Sequence, residues 1–205
     1  MDTSNPTLDG SPLAMTVPEP DRGFPSDTCD EEPSIIWSKL GFEFRRTKHM
    51  FLAHTTQETA QQSTQQSTDA EVWAVWKDKG KVVRFREISL SPAAAVLNYA
   101  QAAFEGMKAM RTPQGKIVLF RPEENARRFR RSAAKLGMPP FPVEWFTEAV
   151  KTLVRQEAGY VPPYDVPGWP ADCPAGSRSL YIRPVMIGSG AVLGVKPAHE
   201  YTFYI

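Results

Sequence analysis

The run Leu180-Tyr181-Ile182-Arg183-Pro184-Val185-Met186-Ile187 is rich in β-branched and aromatic residues, and Ser179 to Ile187 reads as a strand. Successive side chains of a strand point to opposite faces, so Tyr181 and Arg183 share one. A phenol beside a guanidinium suits carboxylate recognition, one giving a donor and the other charge. A cross-strand ion pair is the bland alternative. A second strand, Glu200 to Ile205, follows and ends without a turn or polar cap, as though cut.

Upstream, residues 160–178 are proline-rich and read as an irregular connection. Residues 143–157 predict a helix with Trp145, Phe146, Val150, Leu153 and Val154 on one face. A clearer helix opens at Pro122, with Glu123 and Glu124 where carboxylates suit the dipole. Ala126, Phe129, Ala133 and Leu136 make its apolar stripe, and Gly137 ends it. Before it comes a hairpin: Gly106 to Arg111, a turn at Thr112-Pro113-Gln114-Gly115, then Lys116 to Phe120. Ser91-Pro92 opens a short helix through Ala93, Ala94, Ala95 and Leu97. A second hairpin pairs residues 71–76 with 82–85, turning at Asp78-Lys79-Gly80, and Phe42 to Leu52 is a strand region. Residues 55–69, with a tandem QQST, read as a low-complexity loop, and 1–34 as a disordered Pro/Ser/Thr/Asp tail ahead of a 35–205 domain.

Composition excludes several functions. The 24 Lys+Arg nearly cancel the 23 Asp+Glu, which argues against a dedicated nucleic-acid binder. No apolar run is long enough to span a membrane. Cys29 and Cys173 stand far apart, and His49, His54 and His199 fall in no metal-ligand spacing. The N-terminal segment carries acids before its first base, which favours a cytoplasmic placement and leaves a mitochondrial one open.

Four clusters carry potential chemistry. In Leu97 to Ala109, spacing alone makes Tyr99 and Phe104 core aromatics and Gly106 a bend. Arg121, just ahead of a helix N-terminus, can grip a phosphate; the alternative is a surface arginine paired with Glu123 or Glu124. Arg127, Arg128, Arg130 and Arg131 read as a solvated face. The fourth is the Tyr181–Arg183 pair. No cluster holds a nucleophile–base pair, a carboxylate dyad or a Gly-rich phosphate loop. Residues alone therefore give a mixed α/β domain with a candidate anion site.

Together, these segments resemble the N-terminal half of branched-chain aminotransferases, pyridoxal-phosphate enzymes of fold type IV. The resemblance rests on Leu97 to Ala109, Phe120-Arg121-Pro122, Arg130-Arg131-Ser132-Ala133, Leu136-Gly137-Met138-Pro139 and residues 180–197, in the family's order. It implies an α+β small domain with a mainly antiparallel sheet and flanking helices, and a large C-terminal domain absent from these residues. It implies that Arg121 contacts the cofactor phosphate. Phe42, Tyr99, Phe104, Tyr181 and Arg183 line the substrate pocket, and Leu193 and Val195 reach into the partner's site of a homodimer. The reaction implied moves an amino group between Leu, Ile or Val and 2-oxoglutarate. The lysine that forms the family's Schiff base lies beyond Ile205, so no catalytic residue is assigned and the chain alone is expected to be inactive. Two alternatives are a non-catalytic interaction protein of the same fold, and a related enzyme, D-amino acid aminotransferase or aminodeoxychorismate lyase. The preference among Leu, Ile and Val stays open, as does a biosynthetic or catabolic role.

Overall fold

The computed structural model describes residues 35–41, 43–56, 76, 78–166, 168 and 174–205, all within the unit Pro33–Ile205. The expected tail, the QQST loop beyond Thr56, residues 71–75 of the expected 71–85 hairpin and Phe42 lie outside the described residues, while Trp76 is described and buried.

Among the described residues, eight strands run in chain order: β1 His49–Thr56, β2 Lys81–Arg84, β3 Ala102–Phe104, β4 Met107–Arg111, β5 Ile117–Leu119, β6 Leu180–Ile182, β7 Val185–Gly188 and β8 Glu200–Tyr204. Five form one sheet, β2-β1-β8-β7-β3, and three another, β5-β4-β6, with every neighbour antiparallel. The described residues also form three α-helices, α1 Ala95–Tyr99, α2 Pro122–Lys135 and α3 Val143–Gln156. The α+β architecture, antiparallel sheet with flanking helices, is thus what the described residues form.

The larger sheet is centred on β8, and the alternation of that strand decides what covers it. Phe203 is fully buried and stacks on Phe141 at 4.2 Å between centroids. Phe129 of α2 and Phe146 of α3 meet the same ring at 5.5 and 5.8 Å, so both helices press on one face of the sheet. Burying one such ring contributes about 1.5–3 kcal/mol.

The structure moves several boundaries. The strand expected from Phe42 begins only at His49 and continues into Thr55 and Thr56, which pair with Tyr201 and Glu200. Phe44 is exposed, so its alternation with Phe42 marks no buried face. The helix expected at Ser91-Pro92 starts at Ala95, behind a turn. Leu136, placed on the apolar stripe of α2, falls just after the helix and is 44% exposed. The strand expected over Ser179 to Ile187 is two strands, because Pro184 has no N–H for the ladder.

That break positions the site. β3 pairs with β7 in the larger sheet, and β4 pairs with β6 in the smaller. Glu105-Gly106 separates β3 from β4, and Arg183-Pro184 separates β6 from β7. The Glu105 N–H donates to the Pro184 carbonyl at 2.9 Å, so both segments cross between the sheets at one place.

Candidate functional site

Arg183 stands at this crossing. Its Nη2 and Nε donate to the Tyr181 hydroxyl at 2.8 and 3.2 Å. The guanidinium lies over the Phe104 ring at 4.6 Å and the Tyr181 ring at 5.1 Å, so both aromatic faces support the cation. Phe104 is 62% exposed and Tyr181 38%. The reading of Phe104 and Tyr99 as core aromatics is therefore corrected: they are presented at the surface, Tyr99 also at 38%. An apolar helical or strand pattern does not distinguish a buried ring from one held open beside a cation.

Gly106 explains how Tyr181 fits. A Cβ at this position would strike the Tyr181 hydroxyl and lie 3.1 Å from its Cζ. No other residue leaves that room.

The register of the smaller sheet places Arg121. Ala109 of β4 faces Leu119 of β5 on one side and Leu180 of β6 on the other. β5 and β6 are both antiparallel to β4, so they run the same way and leave the sheet at the same edge. Arg121 follows β5 there and Arg183 follows β6. The two strands are separated by two strand spacings, roughly 10 Å. Arg121 adopts φ +47°, a left-handed conformation unusual for a residue with a Cβ, and caps α2 with its backbone only. Its guanidinium is 66% exposed and 3.9 Å from Glu124, the loose pairing the sequence allowed.

Tyr99, at the end of α1, donates its hydroxyl to the Leu193 carbonyl. The loop carrying Leu193 and Val195 is tied to the α1 region through Val192 N–H to Ala93 O, 2.8 Å, and Ala95 N–H to Gly190 O, 3.1 Å. Leu193 and Val195 themselves are 86% and 90% exposed. The structure therefore gathers Phe104, Tyr181 and Arg183 into direct contact, joins Tyr99 to Leu193, and puts Arg121 on the sheet edge of Arg183. A cavity of about 500 Å³ opens beside Tyr181 and Arg183, walled by Leu153, Val154 and Ile205.

Sequence reasoning missed Glu105, Asn125 and Arg128. Arg128 lies on the solvated face the sequence suggested, 60% exposed, and from there grips the buried Glu105 through Nε and Nη2, both at 2.6 Å. Asn125 adds a bond at 3.0 Å. Burial is the largest single influence on Glu105 and raises its pKa; the bonds from Arg128, Asn125 and the Gly106 N–H together outweigh it. The net result is a carboxyl held below the usual glutamate value. The signal available was an acid flanked by Phe104 and Gly106 in a segment with little else to solvate it.

No family model matches this chain. It is 42% identical over 183 residues to a chloroplastic branched-chain amino acid aminotransferase 2 of Humulus lupulus, covering 88% of this chain and 38% of that protein. A probable branched-chain-amino-acid aminotransferase of Streptomyces coelicolor is 39% identical over 176 residues, or 86% and 41% of the two chains. The chain is homologous to part of a branched-chain aminotransferase. A methionine aminotransferase of Arabidopsis thaliana is 34% identical over 180 residues, 87% of this chain and 43% of that one. The chain thus spans about two fifths of the length of the curated relatives it matches. Among solved structures, the branched-chain aminotransferase of Escherichia coli matches with a TM-score of 0.49 at 17% identity, over 77% of this chain and 40% of that one. The holo-form of the branched-chain amino acid aminotransferase from Thermobaculum terrenum matches with a TM-score of 0.46 at 19% identity, over 78% and 39%.

Proposed function

We propose that these residues supply the substrate-facing part of a pyridoxal-phosphate-dependent branched-chain aminotransferase. The observation that carries the reading is Arg183, laid across Phe104 and bonded to the Tyr181 hydroxyl, on the sheet edge that also releases Arg121. Arg183 and Tyr181 bind and orient the substrate carboxylate. The Phe104 and Tyr99 rings, with Leu193 and Val195, give apolar surface to an aliphatic side chain, which offers only burial and shape for recognition. The relative named as a methionine aminotransferase fits such a surface, since an unbranched thioether is equally apolar.

The residues present fit the phosphate of pyridoxal phosphate. Arg121 is exposed, loosely paired and set ahead of a 14-residue helix whose first turn has no side-chain cap. When bound, that cofactor supplies the electron sink for moving the amino group between Leu, Ile or Val and 2-oxoglutarate. The part proposed for Arg121, Tyr181 and Arg183 is binding and orientation. Leu193 and Val195, exposed on a loop anchored to α1, face a second copy in a homodimer.

Titration calorimetry on the 205-residue chain tests the assignment. Arg121→Gln is expected to weaken pyridoxal phosphate and spare 2-oxoglutarate, and Arg183→Gln to do the reverse. Equal affinities in wild type and both variants would remove the reading.

A further inference from the structure

Glu105 bonds in three directions at the join of the two sheets. Its side chain is 5% exposed and accepts two bonds from Arg128, at 2.6 Å each. Asn125 Nδ2 bridges the Glu105 carboxylate at 3.0 Å and the Gly106 carbonyl at 3.3 Å. The Glu105 main-chain N–H donates to Pro184 O at 2.9 Å. The next residue is Gly106, against which the Tyr181 hydroxyl sits.

These partners belong to two different arms of the site. Asn125 lies in the first turns of α2, about 6 Å along the helix from Arg121 at 1.5 Å per residue. Pro184 is the residue after Arg183. One buried residue is thus bonded close to each of the two cations without touching either. Both carboxylate oxygens accept bonds from protein N–H groups, those of Arg128, Asn125 and the Gly106 main chain, so the carboxylate is engaged within the protein. Only the carboxylate half of the pair is buried, and Arg128 is 60% exposed, so solvent screens the attraction and stability alone is a weak reason for it. What the pair fixes that an apolar contact would not is direction: a two-bond fork sets the roll of α2 against the crossing strands.

We infer that Glu105 is a positioning residue that sets Arg121 and the Tyr181–Arg183 pair in one register, so that the phosphate and carboxylate ends of a ligand are held at a fixed separation. The inference rests on the reading of Arg121 and Arg183 given above. It adds a residue through which both act.

The test titrates the full 205-residue chain with pyridoxal phosphate and, separately, with 2-oxoglutarate, well below the Tm of each variant. Glu105→Gln is expected to weaken both ligands together, on the order of 10- to 100-fold, as misplacement of binding groups does. Arg128→Lys keeps the charge but gives up the second bond, and is expected to fall between wild type and Glu105→Gln for both ligands. Val150→Ala, a buried change on α3, is expected to lower Tm and leave both affinities as they are. A Glu105→Gln chain that loses Tm but binds both ligands normally would overturn the inference, making Glu105 structural only. Loss of one ligand alone would also overturn it, because Glu105 would then serve a single arm. If Glu105→Gln does not fold, Arg128→Lys decides by the same criteria. A wild-type chain that binds neither ligand would instead bring down the assignment of the arginines, and this inference with it.

Discussion

Gly106→Ala is a one-carbon perturbation with a defined collision. The added Cβ would meet the Tyr181 hydroxyl and lie 3.1 and 3.4 Å from Cζ and Cε2 of its ring. Tyr181 must swing away, and the bonds it accepts from Arg183 at 2.8 and 3.2 Å go with it. A hydrogen bond to a charged group contributes about 1.5–3 kcal/mol. Tyr181 is 38% exposed and Arg183 is exposed as well, so water replaces much of the interaction. Discounted for that solvent access, the loss is about 1 kcal/mol. That corresponds to roughly a fivefold weaker affinity for 2-oxoglutarate. Titration calorimetry reads the affinity, and circular dichroism confirms that the fold is kept. Gly115→Ala is the control: it sits in open space at φ +78°, so it strains a remote hairpin by about 1–2 kcal/mol. It should lower Tm and leave 2-oxoglutarate binding alone. If Gly106→Ala binds 2-oxoglutarate as well as wild type, the Tyr181–Arg183 pair is not the carboxylate clamp described.

Other expectations follow from the same structure. Phe203→Ala removes the ring on which Phe141 stacks and which Phe129 and Phe146 touch; about 3–5 kcal/mol should be lost in urea denaturation, and a loss under about 1 kcal/mol would refute its central place. Glu105 has its folded-state pKa lowered, so it adds stability that is full above the ordinary glutamate pKa and declines as pH falls through the folded value. Thermal melts of wild type and Glu105→Gln should therefore converge on acidification below that range, and a constant gap would contradict the pairing. Leu193, Val195, Leu97 and Phe120 are all more than half exposed, so sedimentation velocity should show concentration-dependent self-association. Leu193→Ser with Val195→Ser should reduce it.

Sequence patterns located the helices well where burial imposes a period. Ala126, Phe129 and Ala133 on α2, and Phe146, Val150 and Val154 on α3, recur at helical spacing because one face of each packs on the larger sheet. The hairpin at Thr112 to Gly115 was legible from its turn residues, and Gly115 takes a positive φ in that turn. Strand order was not legible, because β1 pairs with β8 across most of the chain and no local pattern records that. The break at Pro184 was visible as a residue without an N–H, yet the surrounding apolar run masked it. At the site, Tyr181 and Arg183 could be paired from strand alternation. Glu105 and Arg128 could not: they lie 23 residues apart on different elements, and nothing local marks which of the exposed arginines of α2 reaches the buried carboxylate.

The most direct measurement uses a chimera in which this chain replaces the matching 38% of the Humulus lupulus branched-chain aminotransferase. The rate of leucine transamination to 2-oxoglutarate would be followed with added pyridoxal phosphate, beside the 205-residue chain alone. The account predicts turnover by the chimera, its loss on Arg183→Gln, and none by the isolated chain. A folded chimera that takes up pyridoxal phosphate yet transaminates none of Leu, Ile and Val would contradict it, as would turnover by the isolated chain.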